Sequence, residues 1–362
     1  MSNISNEVKK SICVLRLSAL GDCCHALGTI NNIREKLPDT KVTWVIGKTE
    51  YQLFKDLDNV DFLIVDKSNL LKAMTKLKSE ISGKKFDYLL NMHASMSANL
   101  ISTVIRAEAK IGFDRARARD LQSLFCDESI SASDRQHVAD SMTDFLKHID
   151  GKEYRPFWYP LDLMPEEEEI ERYIDKSKFT CVISPCSSQR YGQDYNRSWP
   201  IKNFIRLIEQ LTSEKKIQVI LTGGNSPKEI EYSQCLNDHV FSEGFLNLIG
   251  DTSIREMASI IKHSQCIIAP DSGPAHIGTV MNKPVIGLYA MSNPMRSGTY
   301  HSQDWMINKY PDALLRFEGK ILGDEEWGQK IKKREAMQLI TVDDVLAKID
   351  KVISYVNERN SY

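Results

Sequence analysis

Short apolar runs alternating with stretches of helical periodicity, carried through the chain twice, restrict its fold more than any other feature. In the first half the runs 12–17, 41–46, 62–65 and 86–90 are each followed by a helix-like segment, at 24–37, 51–57, 70–81 and 98–106. Strands separated by whole helices cannot close as hairpins, so this rhythm predicts a parallel sheet covered by helices. Pro38 and Asp39 punctuate the first crossover where its helix should stop. The second half restarts the pattern, with strands at 180–184, 218–221, 266–269 and 285–289 and helices near 201–211, 227–235, 254–262 and after Gly273.

Between the halves the text changes. Residues 151–178 contain the Pro-rich, aromatic cluster Pro156, Phe157, Trp158, Tyr159 and Pro160, then Pro165 and four glutamates. This predicts a linker feeding a helix whose acidic first turn suits the helix dipole. At 362 residues the chain exceeds what one core usually serves, and its 42% apolar content suffices for two. Two α/β domains, each a parallel sheet covered by helices, are therefore expected, over 1–160 and 161–340. An amphipathic helix within 341–362 is expected to pack back on the domain junction.

A formal net charge of -2 with 27% charged residues supplies no global attraction for nucleic acid or a bilayer, so any anionic partner must meet a local patch. The first residues lack the apolar core of a secretory signal, and no stretch approaches the roughly 18 apolar residues of a membrane span. A cytoplasmic protein with no nucleic-acid partner is expected. Of the eight cysteines, Cys13, Cys181 and Cys266 fall in strand-like runs and Cys23-Cys24 opens a helix, without CxxC or zinc spacing. Reduced, mostly buried thiols follow for an intracellular chain.

Two turns carry the chemistry. Ser18-Ala19-Leu20-Gly21-Asp22 follows the first strand and places Asp22 at a helix start, where free amides and the dipole favour the ionised carboxylate. That position suits a general base and equally a helix-capping aspartate. His25 shares its face, either supporting the site or simply packed. Asp271-Ser272-Gly273-Pro274-Ala275-His276 follows a later strand. Pro274 suits the first helical position, Gly273 allows close approach, and the free amides suit a pyrophosphate, with His276 near that anion. Arg197, in Asn196-Arg197-Ser198-Trp199-Pro200, stands near the same sheet edge as Ser187 and Ser188. A guanidinium binds phosphate in bidentate fashion and the hydroxyls add donors, so three segments converge on one anion.

Other signals are weaker. The turn Thr222-Gly223-Gly224-Asn225-Ser226-Pro227 could floor a nucleotide pocket, but it has neither the dinucleotide fingerprint nor a Walker Lys. Asp56-Leu57-Asp58 spells the paired carboxylates that hold Mg²⁺ in some sugar transferases, yet falls in a helix-to-strand connection on the wrong side of the sheet. No metal or cofactor site is expected. Arg106, Lys110, Arg115, Arg117 and Arg119 form a basic stretch that could attract phosphates, carboxylates or an anionic bilayer surface, or be merely solvated.

Taken together these segments resemble glycosyltransferase family 9, the lipopolysaccharide heptosyltransferases, nearest to the members that add the first heptose to inner-core Kdo. The likeness runs from Leu15 to Asp22 through Lys41 to Gly47, Asp87 to Met92, Ile183 to Ser188 and Trp199-Pro200 to Ala269 through His276. It implies a GT-B fold, two Rossmann-like domains with parallel sheets facing across a cleft. The first would bind the acceptor, Kdo-lipid A or a related anionic glycolipid, and the second the donor, ADP-heptose. It implies an inverting, metal-independent transfer completed by domain closure, at the inner face of the inner membrane. Asp22 matches the family's general base, and Arg197 stands where the family commonly has a phosphate-binding Lys. Ser187, Ser188, Ser272, Gly273 and His276 match donor positions, and Asp271 one that approaches the sugar. Arg119, with Arg115 and Arg117 beside it, matches basic residues that meet the acceptor.

Rival readings are a transferase of the same architecture using another ADP- or UDP-linked sugar or another surface-polysaccharide acceptor, a nucleotide-sugar epimerase, and a non-catalytic two-lobed solute-binding protein.

Overall fold

The computed structural model of the chain describes residues 10–187, 196–323 and 326–360. They form two compact units, Met1–Phe157 and Trp158–Tyr362. Each is built on a six-stranded parallel sheet. In the first unit the strands are β1 (Ser11–Leu15), β2 (Lys41–Gly47), β3 (Val60–Val65), β4 (Phe86–Asn91), β5 (Ala107–Gly112) and β6 (Glu128–Ser129), in the order β3-β2-β1-β4-β5-β6. In the second they are β7 (Thr180–Ile183), β8 (Gln218–Leu221), β9 (Phe245–Asn247), β10 (Cys266–Pro270), β11 (Val285–Tyr289) and β12 (Ile307–Asn308), in the order β12-β11-β10-β7-β8-β9.

The central strands are covered on both faces, which is why they read as unbroken apolar runs rather than alternating ones. All four residues of β7 and all five of β10 are buried. Cys13, Leu15, Val45 and Leu89 join Leu77 and Ile101 in the first core, while Ile183, Val219, Ile268 and Leu288 join Phe204 and Leu236 in the second. Six of the eight thiols, at positions 13, 23, 24, 181, 186 and 266, are buried, and burial pushes that of Cys186 up to about 12.

In both sheets the first strand lies between the second and the fourth, so the crossovers leave in opposite directions between β1 and β4 and again between β7 and β10. A crevice opens at the carboxyl ends of the strands at such a switch point, and ligands of doubly wound sheets bind there.

Helix starts carry their expected signals. Ser226 and Ser253 each cap a helix reciprocally with a glutamate three residues on, Glu229 and Glu256. The acidic helix Glu166–Ile170 does more than match its own dipole. Glu166 pairs with the buried Arg255 at 2.7 Å and Glu167 with Lys262 at 2.6 Å, which fastens it to helix Ile254–His263. The carboxyl-terminal helix Val342–Asn360, expected at the domain junction, contributes Val345, Ile349 and Val352 to the second unit's own core. Among the described residues no helix is long and apolar enough to cross a membrane.

Candidate active site

In the first unit the chain leaving β1 keeps pairing briefly, the Arg16 amide donating to the Val45 carbonyl, before it turns into helix Leu20–Lys36. Asp22 occupies the first turn of that helix. One carboxylate oxygen accepts from the Ala19 amide at 3.4 Å, the capping geometry, and the same oxygen is ion-paired with the Arg16 guanidinium. The Asp22 side chain is 35% exposed and that of Arg16 only 11%, so the pair is anchored on the arginine side and open on the carboxylate side.

Arg16 is fixed from several directions. Its Nη1 donates to the Met92 carbonyl just beyond β4 at 2.5 Å, and its own carbonyl accepts from Trp44 Nε1 at 3.2 Å. His93, the next residue along, accepts from the Leu17 amide at Nδ1, 3.2 Å away. Burial and the neighbouring Arg16 charge lower its pKa to about 3, which keeps the ring neutral and its proton on Nε2. A carboxylate, a guanidinium and a neutral imidazole thus meet at the β1/β4 switch point. Sequence reasoning had singled out only the carboxylate. His25 proves to be the packed alternative, buried and edge-on to the His137 ring with centroids 5.3 Å apart.

The basic stretch divides in two. Lys110 Nζ donates to the Ser102 carbonyl, and Arg117 is ion-paired with Asp114 and donates to Gln136 Oε1 at 2.6 Å and the Ser131 carbonyl at 2.8 Å. Those charges hold the fold. Arg106, Arg115 and Arg119 are exposed.

In the second unit the β10 end places Asp271 beneath a ring of donors. Arg197 Nε lies 3.3 Å from an Asp271 carboxylate oxygen and donates to its carbonyl at 3.0 Å, while Ser292 Oγ donates to the carboxylate at 2.7 Å. His276 Nε2 stands 3.9 Å from the other oxygen. Burial alone would raise this carboxyl, but Arg197, His276 and Ser292 outweigh it and hold Asp271 well below the ordinary carboxylate range. Arg197 is held through Nε, and among the described residues its two terminal nitrogens have no partner. Its backbone is fixed as well, the amide donating to Ser187 Oγ at 2.7 Å. Ser187 is fixed in turn by its own amide, which donates to Ser198 Oγ at 3.1 Å.

Ser272 caps helix Gly273–Val280 without a side-chain hydrogen bond, and its buried Oγ has no partner among the described residues. A buried hydroxyl beside free helix amides is an arrangement that an anion completes. Ser187, Arg197, Asp271, Ser272, Gly273 and His276 therefore converge at the β7/β10 switch point. Ser188 lies outside the described residues. Ser292, which no sequence motif marked, joins them from the turn after β11. The glycine turn after β8 is closed by the chain itself, since Glu229 accepts from the Gly224 amide at 2.7 Å and from Ser226 Oγ at 2.5 Å. Asp56 and Asp58 lie between helix Lys48–Phe54 and β3, away from the carboxyl edge.

Two Rossmann-like units of this topology, each with a charged constellation at its switch point, have the GT-B architecture. The family model of glycosyltransferase family 9 (heptosyltransferase) matches residues 74–314. The chain is 32% identical over 346 residues to the lipopolysaccharide core heptosyltransferase OpsX of Haemophilus influenzae, covering 96% of this chain and 98% of that one. It belongs to glycosyltransferase family 9. Solved structures with the same fold include the family 9 glycosyl transferase of Veillonella parvula, with TM-score 0.74 and 18% identity over 96% of this chain and 97% of that one. Another is E. coli heptosyltransferase WaaC with ADP-2-deoxy-2-fluoro heptose, with TM-score 0.69 and 15% identity over 94% and 99%.

Proposed function

We propose that this enzyme moves a heptose from ADP-L-glycero-D-manno-heptose to Kdo of the lipopolysaccharide inner core, with Kdo-lipid A as acceptor and inversion at the anomeric carbon. The observation that carries this reading is the near full-length match to a lipopolysaccharide core heptosyltransferase. The E. coli relative solved with a fluorinated ADP-heptose supports the donor. The acceptor is membrane-embedded, so the enzyme works in the cytoplasm in peripheral contact with the anionic inner face of the inner membrane.

The residues supply the chemistry. An acceptor hydroxyl attacks the anomeric carbon, the new C–O bond forms, the bond to the diphosphate oxygen breaks, and ADP leaves with the electron pair. The sugar carries oxocarbenium character in between. Asp22 takes the hydroxyl proton. Transfer comes late, once the attacking oxygen has become acidic. Arg16 keeps the carboxylate aimed. On the donor side the terminal nitrogens of Arg197, the amides after Ser272 and the Ser272 hydroxyl stabilise charge gathering on the departing diphosphate. Asp271, held ionised by Arg197 and Ser292, faces the sugar and favours its developing positive charge. Arg115 and Arg119 meet the acceptor's anionic groups, and Arg117 braces the segment that carries them.

The test is ADP release measured with purified enzyme, a panel of nucleotide sugars and a deacylated Kdo-containing core. Release is expected with ADP-heptose alone among the donors, which should also raise Tm by mass action. Turnover with a UDP-linked sugar and none with ADP-heptose would replace this reading by the related-transferase one.

A further inference from the structure

The segment after β5 is held rigid by buried amides, yet it presents leucines to solvent. Gln122, buried to 1% exposure, donates from Nε2 to the Asn91 carbonyl at 2.9 Å and accepts from the Phe113 amide at 3.2 Å. Asn99 donates to the Asp120 carbonyl at 2.8 Å, and the Asp120 carboxylate accepts from the Met96 amide at 3.0 Å. On this frame Asp120 and Leu121 take φ values of 52° and 61°, a left-handed conformation that bulky side chains rarely adopt. Leu121 is 62% exposed and Leu124 is 75% exposed, and the Leu124 amide donates to the Leu121 carbonyl at 2.9 Å, so both project from one turn. Met96, whose amide makes the Asp120 contact, is itself 41% exposed.

The polar scaffold thus fixes an apolar protrusion that a fold seeking only stability would bury. Arg115 and Arg119 are exposed on the same segment, on a chain whose net charge is -2. The turn follows the carboxyl end of β5, the sheet edge where Arg16, Asp22 and His93 meet. The exposed acids around this turn are engaged, Asp120 by the Met96 amide, Asp127 by the Lys110 amide and Glu128 by His148, which leaves Arg115 and Arg119 beside a small apolar tip. Such a tip offers little area to a protein partner, but it matches a bilayer interface, where leucines enter the acyl boundary and arginines meet lipid phosphates. We propose that the turn carrying Leu121 and Leu124, flanked by Arg115 and Arg119, docks the first unit on an anionic lipid bilayer. This rests on the reading above that the acceptor is a membrane-embedded glycolipid, and it assigns the surface that brings the Asp22 site to it.

The experiment is co-sedimentation of the full chain with vesicles of phosphatidylethanolamine and phosphatidylglycerol, beside vesicles of phosphatidylcholine alone. Wild type should sediment with the anionic vesicles, and more weakly at high salt. A Leu121→Ser/Leu124→Ser variant should partition about tenfold less, because the side chains no longer leave water. It should keep kcat/KM on the water-soluble deacylated acceptor and lose it on acceptor embedded in vesicles, which separates docking from folding. Unchanged sedimentation of the variant, equal loss on both acceptors, or a wild-type dimer that the variant dissociates would overturn the proposal. Leucine-dependent sedimentation together with no turnover on any acceptor would refute the transfer reading and leave this one standing.

Discussion

The Asp22→Asn enzyme is expected to lose about 10³-fold in kcat, within the range that a positioned general base contributes, while calorimetry gives it the ADP affinity of wild type. Asparagine is the informative replacement because Asp22 stands in two relations at once. Its carboxylate accepts from the Ala19 amide as a helix cap and pairs with Arg16. The asparagine carbonyl keeps the first interaction and cannot take a proton. A purely capping Asp22 would therefore leave turnover nearly intact, since the asparagine carbonyl still accepts from the Ala19 amide. Asp22→Ala removes both functions, and melts of the two variants separate stability from catalysis. Near-normal turnover of Asp22→Asn would remove this carboxylate from the mechanism. His93 complicates neither result, being neutral throughout the physiological range.

Arg197→Ala should weaken ADP binding by about 10- to 100-fold, the loss expected when charge-assisted hydrogen bonds to phosphate disappear. Arg197→Lys should recover only part of it, because an ammonium keeps the charge but not the fork. Stability should change as well. Asp271 is buried with Arg197 as its principal cation, and removing one partner of such a pair costs about 3 kcal/mol. The sign with pH is fixed. A carboxyl whose folded pKa is depressed contributes stability that is complete above its unfolded value and disappears as pH falls toward the folded one. The variant should thus be least stable relative to wild type at neutral pH, with the gap closing in acid. Unaltered ADP affinity would separate Arg197 from the donor.

Much of this was legible in the sequence, and what was not follows a physical pattern. The buried strands β1, β2, β7, β8 and β11 appear as apolar runs because both their faces are covered. β5 escapes that signal because Glu108 and Lys110 interrupt it, and β6 and β12 are two-residue strands at the sheet edges. Helix Val138–Asp150 was not anticipated although Met142, Phe145 and Leu146 share its buried face and Gly151 ends it in a left-handed turn. Its start is capped by the side chain of His137, outside the usual set of capping residues.

The candidate site divides likewise. Asp22, Asp271, Ser272, Gly273 and His276 lie where strand, turn and helix succeed one another in sequence, so a local pattern locates them. Arg16 becomes a site residue only through β4, which brings the Met92 carbonyl and His93 to it from the far end of three crossovers. Its one local sign was a lone charge between Leu15 and Leu17 in an apolar run. Ser292 reaches Asp271 through space in the same way. The basic stretch shows the converse error, for counting charges could not reveal that Arg117 and Lys110 are engaged inside the fold while Arg115 and Arg119 are not.

A single displacement assisted by one base fixes the stereochemistry of the product, and the anomeric configuration of the transferred heptose, read by NMR on the purified reaction product, tests that most directly. Inversion relative to ADP-heptose is the predicted result. Retention would demand a covalent or front-face route and would contradict the role given to Asp22.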